Sequence, residues 1–142
     1  MKQTAIMLAV AALVAGACSW FDDQVPNEAR VVIEGEAGKT VRLIVSTKFL
    51  AGVNELGQTR VEIFQSDTIV TTLPYERVYT IEDDQRFFAE TARLDADLQN
   101  VRMQVFVDDR RQFDEVGALL PGQPYRFVYM FNQALTRDIV VL

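Results

Sequence analysis

The chain has 142 residues, a formal net charge of −6, no histidine and a single cysteine. Without histidine it lacks the commonest general base, the histidine-based nucleophilic triads and the common zinc ligand sets, and no second thiol is available for a disulfide. An acidic chain with no visible basic patch repels phosphate backbones, so nucleic acid is not an expected partner.

At the amino end, Lys2 precedes an apolar stretch of ten, Ala5 to Val14 (AIMLAVAALV), which runs into the small residues Ala15-Gly16-Ala17. A basic start, an apolar middle and a small-residue end form the layout of a secretory signal peptide. Ten residues fall short of the roughly 20 that a membrane-spanning helix requires. The end of this segment, Val14-Ala15-Gly16-Ala17-Cys18, resembles the lipobox of bacterial lipoprotein precursors, with Ala15 where leucine is most frequent. The resemblance covers residues 1 to 19. It implies cleavage before Cys18 and a diacylglyceryl group, with its palmitate-type acyl chains, on the cysteine sulfur. An ordinary cleaved signal peptide ending near Ala17 is the alternative. As a nucleophile Cys18 would need an activating base, usually histidine, and none exists. By the same resemblance, Ser19 after the lipidated cysteine implies export to the outer membrane.

Cleavage before Cys18 leaves 125 residues carrying about −7, a usual size for one domain. The expected division is a signal peptide over 1–17, a lipidated cysteine and tether over 18–28, and one folded domain over 29–142. In the tether, Trp20 and Phe21 are close enough to the acyl chains for the interfacial zone that aromatic rings favour.

From residue 29 onward the apolar pattern has period two. Val41, Leu43, Val45, Thr47 and Phe49 alternate with Thr40, Arg42, Ser46 and Lys48, with Ile44 as the exception. Val61 and Ile63 oppose Arg60 and Glu62. Val101, Met103, Val105 and Val107 form the cleanest inward face, against Arg102 and Gln104. Turn signals separate these runs at Glu36-Ala37-Gly38, Asn54 to Gly57, Ser66-Asp67, Asp83-Asp84, Asp108-Asp109 and Leu120 to Pro124. Their spacing predicts an all-β domain: a single β-sandwich of immunoglobulin-like or transthyretin-like outline with about eight or nine strands. They fall near 29–35, 39–49, 58–65, 68–73, 76–81, 86–94, 101–107, 111–117, 124–132 and 136–142, some being fragments of one bent strand.

Gln85 to Asn100 (QRFFAETARLDADLQN) admits two readings. Phe87, Thr91, Leu94 and Leu98 stand at helical spacing. As a strand, Phe88, Ala92 and Leu94 share a face into which Glu90 intrudes. A strand over 86–94 and a loop over 95–100 are favoured, because a lone helix would interrupt a meander.

Candidate chemistry is sparse. Ser46 and Lys48 lie two apart and share one face of a strand, where an ordinary polar face is the expectation; Asp83-Asp84 and Asp108-Asp109 are acids that collect in turns. Asp95, Asp97 and Asn100 resemble the opening of a calcium loop, but the glycine at the sixth place is missing and Phe106 stands where the closing glutamate belongs. No catalytic residue, metal or cofactor is expected. Asp108 to Arg111 reads as a self-neutralising hairpin tip. In Pro124 to Asn132, Tyr125, Phe127, Tyr129 and Phe131 share one face of a strand, which either fills the core or forms a platform for a partner or ligand. The expected function is a non-enzymatic envelope lipoprotein, membrane-held through its lipid, acting as a binding or assembly module with an envelope protein partner. The alternatives are a strand-donating subunit, suggested by the apolar end Arg137 to Leu142 (RDIVVL), and a carboxylate-based hydrolase.

Overall fold

Alternating apolar and polar residues give a strand one dry face, and two sheets bury such faces by stacking. The computed structural model describes residues 25–81, 85–97 and 100–142. The lipobox, Cys18, the tether through residue 24, and Asp83 and Asp84 lie outside the described residues.

Among the described residues the chain forms ten strands and no helix: β1 (Glu28–Gly35), β2 (Thr40–Val53), β3 (Thr59–Thr72), β4 (Tyr75–Thr80), β5 (Arg86–Arg93), β6 (Asn100–Val107), β7 (Arg110–Ala118), β8 (Tyr125–Met130), β9 (Gln133–Leu135) and β10 (Ile139–Val141). They make a four-stranded sheet, β4-β1-β6-β7, and a six-stranded sheet, β10-β3-β2-β5-β8-β9. All pairs are antiparallel except β10 with β3, where Ile139 meets Thr59 in parallel. The carboxyl end is thus hydrogen-bonded within the chain's own sheet.

The main core lies between the sheets. Val31 and Ile33 of β1 and Val101, Met103, Val105 and Val107 of β6 meet Val41, Leu43, Phe87, Ala89 and Phe127 of the larger sheet. Gly35 stands where the chain crosses tightly, since a Cβ there would lie 2.7 Å from Leu73 Cδ1 and 3.2 Å from the Asn100 carbonyl oxygen.

Residues 86–93 are strand, as favoured, and the helical reading of this segment is excluded. The expected break at Ser66-Asp67 is absent: β3 runs through it, and the chain turns instead at Leu73-Pro74, a cis peptide. The face expected for residues 41–49 is also revised. Two bulge irregularities, between Val45 and Lys48 and between Lys48 and Phe49, insert one residue first on β2 and then on β3, so both strands turn over and the original register resumes. Beyond them, Phe49, Val61 and Ile63 pack with Phe88, Val128 and Ile44 in a second, smaller core on the outer face of the six-stranded sheet. Ile44 is therefore no exception to the pattern; it belongs to this second core. Phe49 and Phe88 meet edge-on with centroids 6.2 Å apart.

The Asp108-Asp109 turn has both residues at positive φ, 44° and 63°, which two-residue hairpins of right-handed twist require. Asp108 Oδ1 also accepts from the amides of Asn27 (3.0 Å) and Glu28 (3.2 Å). The tip thus pins the start of β1 rather than merely neutralising itself.

Candidate functional site: an arginine groove on the outer sheet

β5 is central in the six-stranded sheet and is covered on both faces, so its burial does not alternate. Phe87 and Ala89 face the main core and Phe88 the second core, which leaves Glu90 on the outer face beside Ile44 of β2. Directly across on β8 stands Arg126. The Glu90 side chain is only 7 % exposed, and a carboxylate so placed needs cationic partners. Arg126 Nε donates to Oε2 at 2.7 Å and Arg42 Nη2 donates to Oε1 at 3.2 Å. Arg126 Nη1 donates further to the Ile139 carbonyl oxygen at 3.0 Å, tying the cluster to β10.

These residues floor a groove of about 480 Å³, walled by Arg93 at the end of β5 and by Pro121 and Pro124 of the loop before β8. Arg42 and Arg126 face one carboxylate there and Arg93 lines the rim, in a chain whose net charge is negative. The Arg42 side chain remains 43 % exposed, and its Nε is buried without a partner. Arg93 forms no ion pair among the described residues. The Glu90 oxygens are taken by Arg126 and Arg42, so the remaining donors are positive. A planar guanidinium fork suits carboxylate and phosphate oxygens, and the proline and alanine walls supply apolar contact.

The residues singled out from sequence fall elsewhere. The aromatic row is not one open face. Phe127 is fully buried against Phe113, with centroids 5.7 Å apart, and Tyr129 is 5 % exposed, its hydroxyl donating to Asn132 Oδ1 at 3.1 Å. Burial pushes the hydroxyl pKa of both Tyr125 and Tyr129 up. Phe131 leaves the strand: it sits in the β8–β9 turn at φ 49°, exposed, with the Arg86 guanidinium 5.4 Å from its ring centre.

The calcium candidates hold no common point. Asp95 Oδ2 accepts from the Thr40 amide at 2.5 Å and its hydroxyl at 2.9 Å, Asp97 pairs with Lys39, and Asn100 opens β6 opposite Ala118. Hydrogen bonding to Asp97 raises the Lys39 pKa, and the same bond lowers that of Asp97. Among the described residues no cluster of three acidic, histidine or cysteine side chains is arranged for a metal. Ser46, expected on a solvent face, is buried at the bulge, where its hydroxyl donates to the Gln65 carbonyl at 2.5 Å and accepts from the Lys48 amide at 3.0 Å.

Arg42, Arg93 and Arg126 were not singled out from sequence. The usable signal was Glu90 itself, a charged residue where the strand alternation asks for an apolar one. Comparison with family models, curated proteins and solved structures finds no match to this chain.

Proposed function

We propose that this chain is a non-enzymatic envelope lipoprotein whose folded domain binds the anionic group of a small ligand or of an envelope protein partner in the Arg42–Glu90–Arg126 groove. In this reading residues 1–17 are a signal peptide, Cys18 carries the acyl chains, and the domain stands at the outer membrane on a short tether. The single observation that carries the binding role is the excess of guanidinium groups over carboxylate in an open groove of an acidic chain. A cluster built only for stability needs one partner for Glu90, and a lone buried ion pair adds little to stability.

Strand order supports the transthyretin-like outline over the immunoglobulin-like one within this reading. The immunoglobulin order sets its first two strands in one sheet, whereas β1 and β2 fall in opposite sheets.

The test uses the full chain and two probes, inorganic phosphate and N-acetylalanine. Either should move the Nε–H resonances of Arg42 and Arg126, and Arg42→Ala should abolish the response at Arg126. Silence at both arginines up to concentrations on the order of tens of millimolar would remove the groove as a binding site. The anchor is tested apart from the groove. Cys18→Ser should remove metabolic fatty-acid label from the protein, and undiminished label would sink the lipoprotein reading.

A further inference from the structure

Strand β10 covers only Thr59 to Val61 of β3. From Glu62 to Thr72, β3 has no neighbour on that side among the described residues, so its outward amides and carbonyls form an open edge. Sheet edges are usually protected by charge, by shortness or by a bulge. The other edges follow this practice. β4 carries Glu76 and Arg77. β7 carries Arg110, Arg111, Asp114 and Glu115 and is bulged against β6, and β9 has three residues.

Thr68 to Thr72 (TIVTT) has none of these protections. It is uncharged, β-branched at every position, and free of proline and glycine. Ile69 packs against the main core, while Val70 points outward and is 65 % exposed.

We infer that this edge is an interface between two copies of the chain, paired antiparallel about a two-fold axis through Val70. The occupant is set by self-complementarity. An axis perpendicular to the sheet keeps both inner faces on the same side and sets Thr68 against Thr72, Ile69 against Thr71, and Val70 against its own copy. These are β-branched cross-strand pairs of the kind that stabilise a sheet. The nearest charge, Asp67, then lies opposite Leu73, so no like charges oppose each other in the ladder. The adjoining rim of the other sheet, β4, carries one charge of each sign in Glu76 and Arg77 and does not repel its own copy. Both copies offer the same patch, so the contact closes on itself as a dimer. This interface is independent of the arginine groove, which lies toward β5 and β8.

Sedimentation of the full chain in mild detergent tests the inference. The parent should sediment as two protomers, and Val70→Lys should halve that mass while circular dichroism shows an unchanged strand content. Val116→Lys, an equally exposed site on the β7 edge (70 % exposed), should leave the dimer intact, as should Arg42→Ala. A parent that is monomeric at concentrations on the order of 100 μM would overturn the inference. So would a Val70→Lys variant that remains dimeric, or a β3 edge occupied by a different protein in its place.

Discussion

Glu90→Ala is the perturbation that bears most directly on the groove. The carboxylate has a hydrogen bond of 2.7 Å from Arg126 and one of 3.2 Å from Arg42. A hydrogen bond to a charged group contributes about 1.5–3 kcal/mol, and an exposed ion pair about 0–1 kcal/mol. Arg126, with 30 % of its side chain exposed, belongs nearer the first range, and Arg42, at 43 %, nearer the second. Loss of both therefore destabilises the fold by about 1.5–4 kcal/mol. Breaking a fully buried pair costs about 3–5 kcal/mol, which is an upper limit here because both guanidinium groups reach water. Glu90→Gln keeps the shape and one acceptor and should lose about half as much. The assay is urea unfolding followed by circular dichroism and tyrosine fluorescence, since all four tyrosines lie in strands of the domain, with the slope of the transition compared across variants. A Glu90→Ala variant within about 0.5 kcal/mol of the parent would show that the carboxylate is not paired as described. The triple variant Arg42→Met, Glu90→Leu, Arg126→Met extends the apolar second core and should match or exceed the parent. Equal stability without the charges would mean that they are kept for something other than folding.

Two further predictions concern the core and the surface. Phe127→Ala removes a fully buried ring from between the sheets and should cost about 3–5 kcal/mol in urea unfolding, whereas a loss of under about 1 kcal/mol would place the ring outside the core. The bidentate bonds from Arg102 hold the Asp114 carboxyl down to about 2, from an ordinary value of 3.8. The folded value is the lower one, so the stability this pair contributes is present above 3.8 and disappears as pH falls toward 2. Thermal melts across that window should show a steeper loss for the parent than for Asp114→Asn, and parallel curves would count against the pair.

Where a strand has one face on the main core, the fold is legible from sequence. Val101 to Val107 alternates cleanly because β6 faces the six-stranded sheet on one side and solvent on the other. Legibility fails where both faces are covered. β5 reads as an ambiguous segment because Phe87 and Phe88 enter two different cores, and helical spacing arises by coincidence from that double burial. It fails again at the bulge, where one inserted residue moves Phe49 to the opposite face from Val45, a shift no local pattern announces. Ser66-Asp67 carries turn residues yet lies within β3, opposite the bulge, where sheet pairing outweighs local preference.

The groove was harder to read because its parts are distant in the chain. Glu90 is 48 residues from Arg42 and 36 from Arg126, and no short motif spans such gaps. Arg42 and Arg126 also stand at positions that alternation assigns to solvent, where a charged residue asks for no explanation. What places them together is the outer face of the six-stranded sheet, which is divided in two. The β2–β3 hairpin and β10 close one part with the second core, and that closure ends beside Ile44 and Val128. Glu90 is the next residue outward from Phe88 on the same face, at the boundary where apolar cover stops. A carboxylate at that boundary is dry enough to need arginines and close enough to solvent for those arginines to remain reachable. An apolar residue at position 90 would extend the second core and leave a plain surface. The charge at this position thus turns the margin of a packed sheet into a groove with donors to spare.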